Sequence, residues 1–471
     1  MARKRKYKEL KIESIGFEGI SIARDDGKVY FVKGGIPGDI VHTRLKKKRK
    51  NYTEAVIEEV LESGEGRQEP LCDHFDSCGG CKWQHLEYDK QIYWKKQHVK
   101  DAFERLGKVD YGNLHETLPA PEIYEYRNKM EFSFGASRWM TEEEIQSKDE
   151  IEDKHFALGL HVPGRFDKVN DIYKCHIQNY EANDFLNLIR DKAKEFDTKP
   201  HNTISHEGYL RNFVIRRSEK NDEYLVILVT DDIKEPEDEM FLKWYRSEFP
   251  EIFPKITNVV HAVNNTKSPV AAGTPEIIKG KGYITEKILG VDFRISPFSF
   301  FQTNSHQLDQ FIENILEFAG LTGKETVWDL YCGTGSITLP ASYRSEKIYG
   351  MELVESSVND ARNNAEINNI KNAEFFSLDL HSKDMPFLLE KLEKPDVIFI
   401  DPPRAGMHKN LTEHILKSDA PIIVYVSCNP ATQARDCEIL SEKYEIKDIK
   451  PVDMFPHTYH IESIAKLELK K

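Results

Sequence analysis

The alternation of apolar and polar residues changes rhythm along the chain. Residues 7 to about 62 alternate with a period of two in the runs ELKIESIGFEG, ISIARDDGKVYFV, KGGIPGDIVHTRL and YTEAVIEEVLE, broken by glycine-bearing turns. Such runs are strands, because successive side chains of a strand face opposite sides. Asp26-Gly27 between two of them is a hairpin signal, and several strands in so short a stretch predict a small barrel. LEYDKQIYWKKQHVKDAFERLG (86–107) has the helical period and predicts one helix stopped by Gly107. Residues 120–290 mix strand runs (KMEFSFG, FALGLHV, LRNFVIRR, EYLVILVT) with helices such as NYEANDFLNLIRDKAKEF, an α+β pattern. From about residue 295, apolar strand, loop and helix alternate in TVWDLYCGTGS, KIYGMELVE, AEFFSLDL, DVIFIDPP and PIIVYVSCNP. That order predicts a parallel, doubly wound sheet. The expected division is a barrel over residues 1–64, a central α+β domain over 65–290 and an α/β domain over 291–471.

Composition narrows the setting. With 39% apolar residues and 26 glycines in 471, the chain has the balance of a globular protein. No run approaches the length of a membrane span, and MARKRKYKELK has no apolar stretch after its basic one. Seven cysteines, odd in number and unevenly spaced, argue against a disulfide framework. These features predict a cytoplasmic protein without a membrane partner. The net charge of −13 conceals an asymmetry: residues 1–50 hold 15 Lys and Arg against six Asp and Glu. The run Lys46-Lys47-Lys48-Arg49-Lys50 is expected in a turn of the barrel, where it suits nucleic-acid contact; a solvated loop is the plain alternative. The stretch GFEGISIARDDGKVYFVKGGIPGD resembles the TRAM domain, an RNA-binding barrel attached to some RNA-modifying enzymes.

In the last domain, Thr326–Leu330 reads as a buried strand leading into Tyr331-Cys-Gly-Thr-Gly-Ser336 and a helix. Glycines at such a turn let a ligand approach the backbone, and the following helix offers free N–H groups. Glu352 ends the next apolar strand, 23 positions after Asp329, where a carboxylate can accept hydrogen bonds from ribose hydroxyls. Asp379 follows the third strand. GTGS lacks the third glycine of the dinucleotide fingerprint, which makes NAD the weaker reading. The arrangement resembles the class I S-adenosylmethionine methyltransferases.

Strand DVIFI delivers Asp401-Pro402-Pro403-Arg404 to the carboxyl edge of the sheet, where ligands of doubly wound folds bind. Methyltransferases acting on exocyclic amines carry an aromatic at the fourth position of this motif, and Arg404 departs from it. The next strand ends in Ser427-Cys428-Asn429-Pro430, which poises a thiol over the same crevice; a small buried hydrophobe is the plain reading of such a cysteine. A thiolate added to C6 of uracil makes C5 nucleophilic towards a sulfonium methyl, and release then needs a base for the C5 proton. Glu462, in His460-Ile-Glu-Ser463 at the opening of the last strand, is the candidate base.

DLYCGTG, DPPR, SCNP and HIE, in this order, resemble the RNA uracil-5-methyltransferase family, which includes 23S rRNA and tRNA enzymes. The likeness covers the whole chain, since a TRAM-like barrel, four cysteines and a central domain precede the catalytic domain in the rRNA members. It implies a Rossmann-like class I methyltransferase domain behind a TRAM- or OB-like barrel and a central α+β domain. It implies Cys428 as nucleophile and Glu462 as base. It also implies that Gln302 of SPFSFFQTN (296–304) binds in the active site, and that Tyr331, Ser336, Glu352, Asp379 and Asp401 line the cofactor pocket. Ser336 and Asp379 stand where an Asn is common in some members. The expected reaction is methyl transfer from S-adenosyl-L-methionine to C5 of a uridine in 23S rRNA, with no DNA partner. The target base must be unstacked, and Phe298, Phe300 or Phe301 are available for stacking. Rival readings are a tRNA T-loop uridine, a cytosine-5 RNA methyltransferase, and an RNA-binding ribosome assembly factor with a degenerate fold.

Cys72-x5-Cys78-x2-Cys81 with Cys175 is a four-thiolate set. Spacing alone accommodates zinc or an iron–sulfur cluster, and His74, His85 and His176 keep a mixed zinc site open. The same spacing holds a [4Fe–4S] cluster in the rRNA members, so the resemblance implies that cluster here, with zinc as the alternative. Cys332 and Cys437 remain, the first expected under the cofactor loop and the second in a helical core.

Overall fold

The computed structural model describes residues 6–147, 151, 153–382 and 385–471. Arg3, Lys4 and Arg5 of the basic N-terminus lie outside the described residues. Strands Tyr7–Ile15, Ser21–Asp25, Lys28–Lys33, Ile40–Lys48 and Tyr52–Glu62 close into a barrel. Leu10, Ile12, Ala23, Tyr30, Val32, Val41 and Ala55 point inward and fill it. Asp25 pairs with Lys28 around Asp26 (φ 49°) and Gly27 (φ 70°), the two left-handed positions of a primed hairpin turn. Lys46, Lys47 and Lys48 are exposed at the end of the fourth strand rather than in the turn itself, and Arg49 pairs with Glu54 at 2.9 Å.

The central sheet has seven strands, in the order Thr274–Lys279, Ile256–Val263, Glu223–Thr230, Leu210–Ser218, Lys129–Gly135, Ala157–Val162, Arg165–Asp171. Helices Glu181–Glu195 and Pro236–Ser247 cover one face through Phe185, Leu186, Ile189, Phe241 and Tyr245. On the other face Val214, Leu225, Ile227 and Val229 share a core with helix Ser305–Ala319 and with Val424 and Val426 of the next sheet. The two sheets therefore cannot be separated without exposing a common apolar layer.

The last sheet has eight strands, ordered Ala373–Ser377, Lys347–Glu352, Thr326–Leu330, Val397–Ile400, Ile422–Ser427, Glu462–Leu469, Tyr444–Val452, Tyr111–Leu114. The first five are parallel, as the strand and helix alternation predicts. Two features depart from that pattern. Glu462–Leu469 runs antiparallel to both neighbours, because residues 453–461 are too few for the crossover a parallel partner needs. Tyr111–Leu114, which falls in the stretch 65–290, adds to the edge of this sheet, and Val99 and Phe103 ahead of it enter the same core. A four-residue strand has no legible period, so only the open edge of Tyr444–Val452 reveals where it pairs. The preceding helix, Tyr88–Asp101, continues as a π-turn over Ala102–Gly107, and its left-handed cap is Lys108 (φ 51°) rather than Gly107. A Cβ on Gly107 would meet the Ala434 carbonyl oxygen at 2.9 Å, so this glycine serves the approach of helix Pro430–Leu440. Among the described residues no helix is long and apolar enough to cross a membrane.

Candidate active site

Strands Ile422–Ser427 and Glu462–Leu469 pair with Ser427 opposite Ser463. One step further in the same register stand Cys428 and Glu462, so residues 34 positions apart face each other across the ladder. Cys428 is a half-buried free thiol and Glu462 is buried. The Asn429 side chain accepts from the Ala431 N–H at 3.1 Å, capping helix Pro430–Leu440. Its Nδ2 donates to the Arg404 carbonyl at 3.0 Å. The cysteine tip and the Asp401–Arg404 loop are thereby tied into one edge.

Burial first, then the Glu462 and Asp401 carboxyls, push the Cys428 thiol up to about 11, with the Arg404 guanidinium opposing them by its charge and a hydrogen bond. Burial also holds Glu462 well above the usual carboxylate range, with Asp401 adding and Arg404 opposing. Burial alone lifts Asp401 to about 7. Cys428 and Glu462 both act on the Arg404 guanidinium, and like charges on the two, with Asp401 adding to both, disfavour their ionising together. Arg404 Nη2 also lies 2.6 Å from His460 Nδ1. Burial, then Arg404, pushes His460 down to about 4, which leaves a neutral ring nitrogen to accept from the guanidinium. The fourth residue of the DPPR motif thus faces the thiol instead of offering an aromatic to a base.

The loop leading to Glu462 is held from below by a buried network. Lys95, fully buried on helix Tyr88–Asp101, donates to Asp453 and, at 3.0 Å, to the Phe455 carbonyl. The Tyr88 hydroxyl donates to Asp453 at 3.0 Å, and the His457 N–H donates to Gln91 Oε1 at 2.8 Å. The helical period of residues 86–107 is legible in the sequence, but nothing local marks Tyr88, Gln91 and Lys95 as supports. The cavity at Cys428 is closed by Arg404, Asn429, Tyr459, His460 and Ile461, and by Phe17 and Glu18 of the barrel.

Beside this centre lies the glycine loop. Tyr331 (φ 69°), Gly333 (φ 55°) and Gly335 (φ 88°) take left-handed conformations. A Cβ on Gly335 would meet Leu339 Cγ at 3.1 Å, whereas one on Gly333 would meet nothing within 4 Å; the backbone at Gly333 is open to a ligand. Glu352 accepts from the Gly333 N–H at 3.2 Å and the Val354 N–H at 2.9 Å, joining the second strand to the loop. Asp329 is fully buried, accepts from the Thr338 hydroxyl at 2.5 Å, and is raised to about 7 by burial, with Asp401 and Glu352 contributing. Asp329 thus lies within electrostatic reach of both Asp401 and Glu352. The Tyr331 hydroxyl is buried with no hydrogen-bond partner among the described residues, and burial, then Asp436, Asp379 and Glu352, raises it. An unpartnered polar atom beside two carboxylates fits a polar ligand.

Asp379 is exposed and accepts from the His381 N–H at 2.8 Å. Ser336 is half-buried in the turn before the short helix Thr338–Ser342. Gln302 is buried on the loop ahead of helix Ser305–Ala319, and its carbonyl accepts from Asn128 at 2.9 Å. Among the described residues no hydrogen bond joins Ser336 or Gln302 to Tyr331, Glu352, Asp379 or Asp401. Arg216, buried on the central sheet, holds the Gln302 loop by donating to the Pro297 and Ser299 carbonyls. Phe301 packs in the core against Phe293, while Phe300 is exposed.

The four-cysteine set gathers on one small cavity, lined by Cys72, Cys78, Cys81 and Cys175 with His74 and His176; all four thiols are free. Burial pushes Cys78 up to about 11 and Cys81 up to about 12, and raises Cys72 and Cys175. The donor set and its convergence on one cavity fit a four-thiolate group. Even so, among the described residues no group of three or more His, Cys, Asp or Glu stands ready to hold a metal ion. His85 is not on this cavity; its buried ring nitrogens have no hydrogen-bond partner among the described residues. Cys332 and Cys437 are buried.

The family model for tRNA (uracil-5-)-methyltransferases matches residues 275–470, and that of the TRAM domain matches residues 2–57. An uncharacterized RNA methyltransferase of Bacteroides thetaiotaomicron is 41% identical over 454 residues, 96% of this chain and 99% of its own. Another, of Chlorobaculum tepidum, is 41% identical over 435 residues, 92% of this chain and 89% of its own. The crystal structure of Pyrococcus abyssi tRNA (uracil-54, C5)-methyltransferase in complex with S-adenosyl-L-homocysteine matches with a TM-score of 0.75 at 27% identity, covering 98% of this chain and 100% of that one. Fold and site together define a class I methyltransferase carrying an N-terminal TRAM barrel. The chain belongs to the RNA uracil-5-methyltransferase family.

Proposed function

We propose that this protein transfers a methyl group from S-adenosyl-L-methionine to C5 of a uridine in 23S rRNA, in the cytoplasm, through a covalent bond from Cys428 to C6. The observation that carries the mechanism is the register that sets Cys428 opposite Glu462 beside Arg404. Tyr331, Ser336, Glu352, Asp379 and Asp401 are assigned to the methyl donor, with Gln302 at the junction with the uracil.

The Cys428 thiol gives its proton to solvent, the thiolate adds to C6, and the electron pair moves towards C5 and O4. C5 then takes the sulfonium methyl and the donor leaves as a neutral thioether. Glu462 removes the C5 proton, the C5–C6 double bond re-forms, and the thiolate departs. The mutual repulsion of the two groups orders these steps. Because the Glu462 carboxylate disfavours a charge on Cys428, the thiolate forms most readily while Glu462 keeps its proton. Once sulfur is bonded to carbon its charge is gone, Glu462 can release its proton to solvent, and a carboxylate destabilised by burial is a stronger base than an exposed one.

Cys72, Cys78, Cys81 and Cys175 are assigned to a [4Fe–4S] cluster, with zinc as the alternative. Such a group would tie segment 72–81 to Cys175 and offset part of the charge of the four thiolates; methyl transfer consumes no electron. A tRNA uridine is the second reading, favoured because the Pyrococcus abyssi tRNA enzyme matches 98% of the chain. Mapping 5-methyluridine in 23S rRNA and in tRNA from a strain lacking the gene separates the two. Loss from 23S rRNA supports the first reading, loss from tRNA supports the second, and no loss in either rejects both.

A further inference from the structure

The barrel does more at this site than lend positive charge. Its first turn, Phe17–Gly19, reaches the cavity of Cys428, which Phe17 and Glu18 line together with Arg404, Tyr459, His460 and Ile461. The turn is held rigidly. The Gly16 N–H donates to the Ile20 carbonyl at 2.8 Å, and Glu18 is left-handed at φ 63°. Gly19 (φ 74°) abuts its neighbours so closely that a Cβ would meet Trp83 Nε1 at 3.1 Å and Tyr459 at 3.3 Å. Just before it, Ile15 packs with Trp83, Leu86 and Tyr459. His98 Nε2 lies 3.0 Å from the Ile15 carbonyl; burial pushes His98 down to about 4, so a neutral ring supplies the N–H.

On this fixed turn Phe17 is 45% exposed, an aromatic face kept in solvent at the mouth of the cavity. On the same lining the Tyr459 and His460 ring centroids lie 4.2 Å apart. Unstacked bases bind by stacking on such faces. Arg404 and Glu18 on the same lining are of opposite charge, so it is the exposed ring of Phe17 that offers a nucleotide its stacking face.

We propose that Phe17 is a positioning residue that stacks on a nucleobase of the RNA at the mouth of the Cys428 cavity, so that the TRAM barrel takes part in presenting the uridine. This rests on the uridine-methylation reading, and two measurements on the full-length protein separate the two. The first uses undermethylated total RNA from a gene-deletion strain as methyl acceptor. At saturating RNA, Phe17→Ala lowers kcat about tenfold and Phe17→Trp restores it to within about threefold, the scale of one base stacked on one ring. Undiminished kcat in Phe17→Ala overturns the assignment, since a ring that only aided folding or distant RNA binding would leave kcat at saturation intact. The second needs no methyl transfer: a single-stranded octamer of uridines bearing one 5-iodouridine is photo-crosslinked to the protein. The label is expected on Phe17 in tryptic peptide Ile12–Arg24 and lost in Phe17→Ala. No label on that peptide overturns the proposal. If the wild type methylates no RNA, the function reading falls while the crosslink still judges Phe17.

Discussion

Cys428 and Cys81 are both thiols whose surroundings push ionisation up, to about 11 and about 12, yet they are prepared for different chemistry. At Cys428 the Arg404 guanidinium opposes burial, and Glu462 stands across the ladder as a second acid. At Cys81, apart from a hydrogen bond to Gln84, the neighbours that act are Cys175, Cys78 and Cys72, each raising it further. A thiolate at Cys428 is stabilised by a resident cation and can form one at a time. Around the second cavity the thiols raise one another at Cys81, while Lys82 opposes the rise at Cys78 and Arg127 at Cys175. The direction of a shift is therefore uninformative about role until the neighbour that opposes it is named.

The sharpest break between the two regions is removal of the thiol. Cys428→Ala should cut methyl transfer by at least about a thousandfold, as loss of a covalent nucleophile does, while S-adenosyl-L-homocysteine still binds by calorimetry. An active variant would end the covalent mechanism. Glu462→Gln comes next: loss of the general base lowers turnover about a hundredfold or more. The adduct should accumulate as a slow RNA–protein band on a denaturing gel, absent when Cys428→Ala is added.

Arg404→Gln tests the cation. Below its raised value Cys428 is a neutral thiol, so alkylation by iodoacetamide climbs with pH. Without the guanidinium that limb moves to higher pH, lowering reactivity at neutral pH about tenfold per unit of displacement. A limb that stays in place would show that Arg404 acts elsewhere. The smallest effect on rate is expected at the second cavity: Cys81→Ser should lower thermal stability and leave kcat within about threefold, since no reacting atom lies there. Anaerobically purified wild type is expected to contain iron and acid-labile sulfide that Cys81→Ser loses; stoichiometric zinc without iron would assign the site to zinc.

Much of this molecule is legible along the chain because it depends on neighbours in sequence. EYLVILVT is the strand Glu223–Thr230 residue for residue, since its run of β-formers needs no distant partner to be recognised. Asp26-Gly27 makes its turn because left-handed conformations are local properties. Tyr111–Leu114, Lys95 beneath Asp453, and Arg216 beneath Pro297 were not legible. Each has a polar or short sequence signature whose meaning comes from a partner 80 or more positions away.

By itself the sequence determined most of the long elements, the glycine loop with its acid on the following strand, the cysteine spacing, and Cys428 and Glu462 as candidates at strand ends. Only the tertiary structure decided that those two share a register, that Arg404 faces them, that four separated thiols meet on one cavity, and that the barrel sets Phe17 beside the nucleophile. The physical reason is that periodicity and turn preference act over a few residues of backbone. Charge coupling and cavity shape depend instead on distances through space, which are set only once strand pairing and the shared apolar core have brought remote segments together.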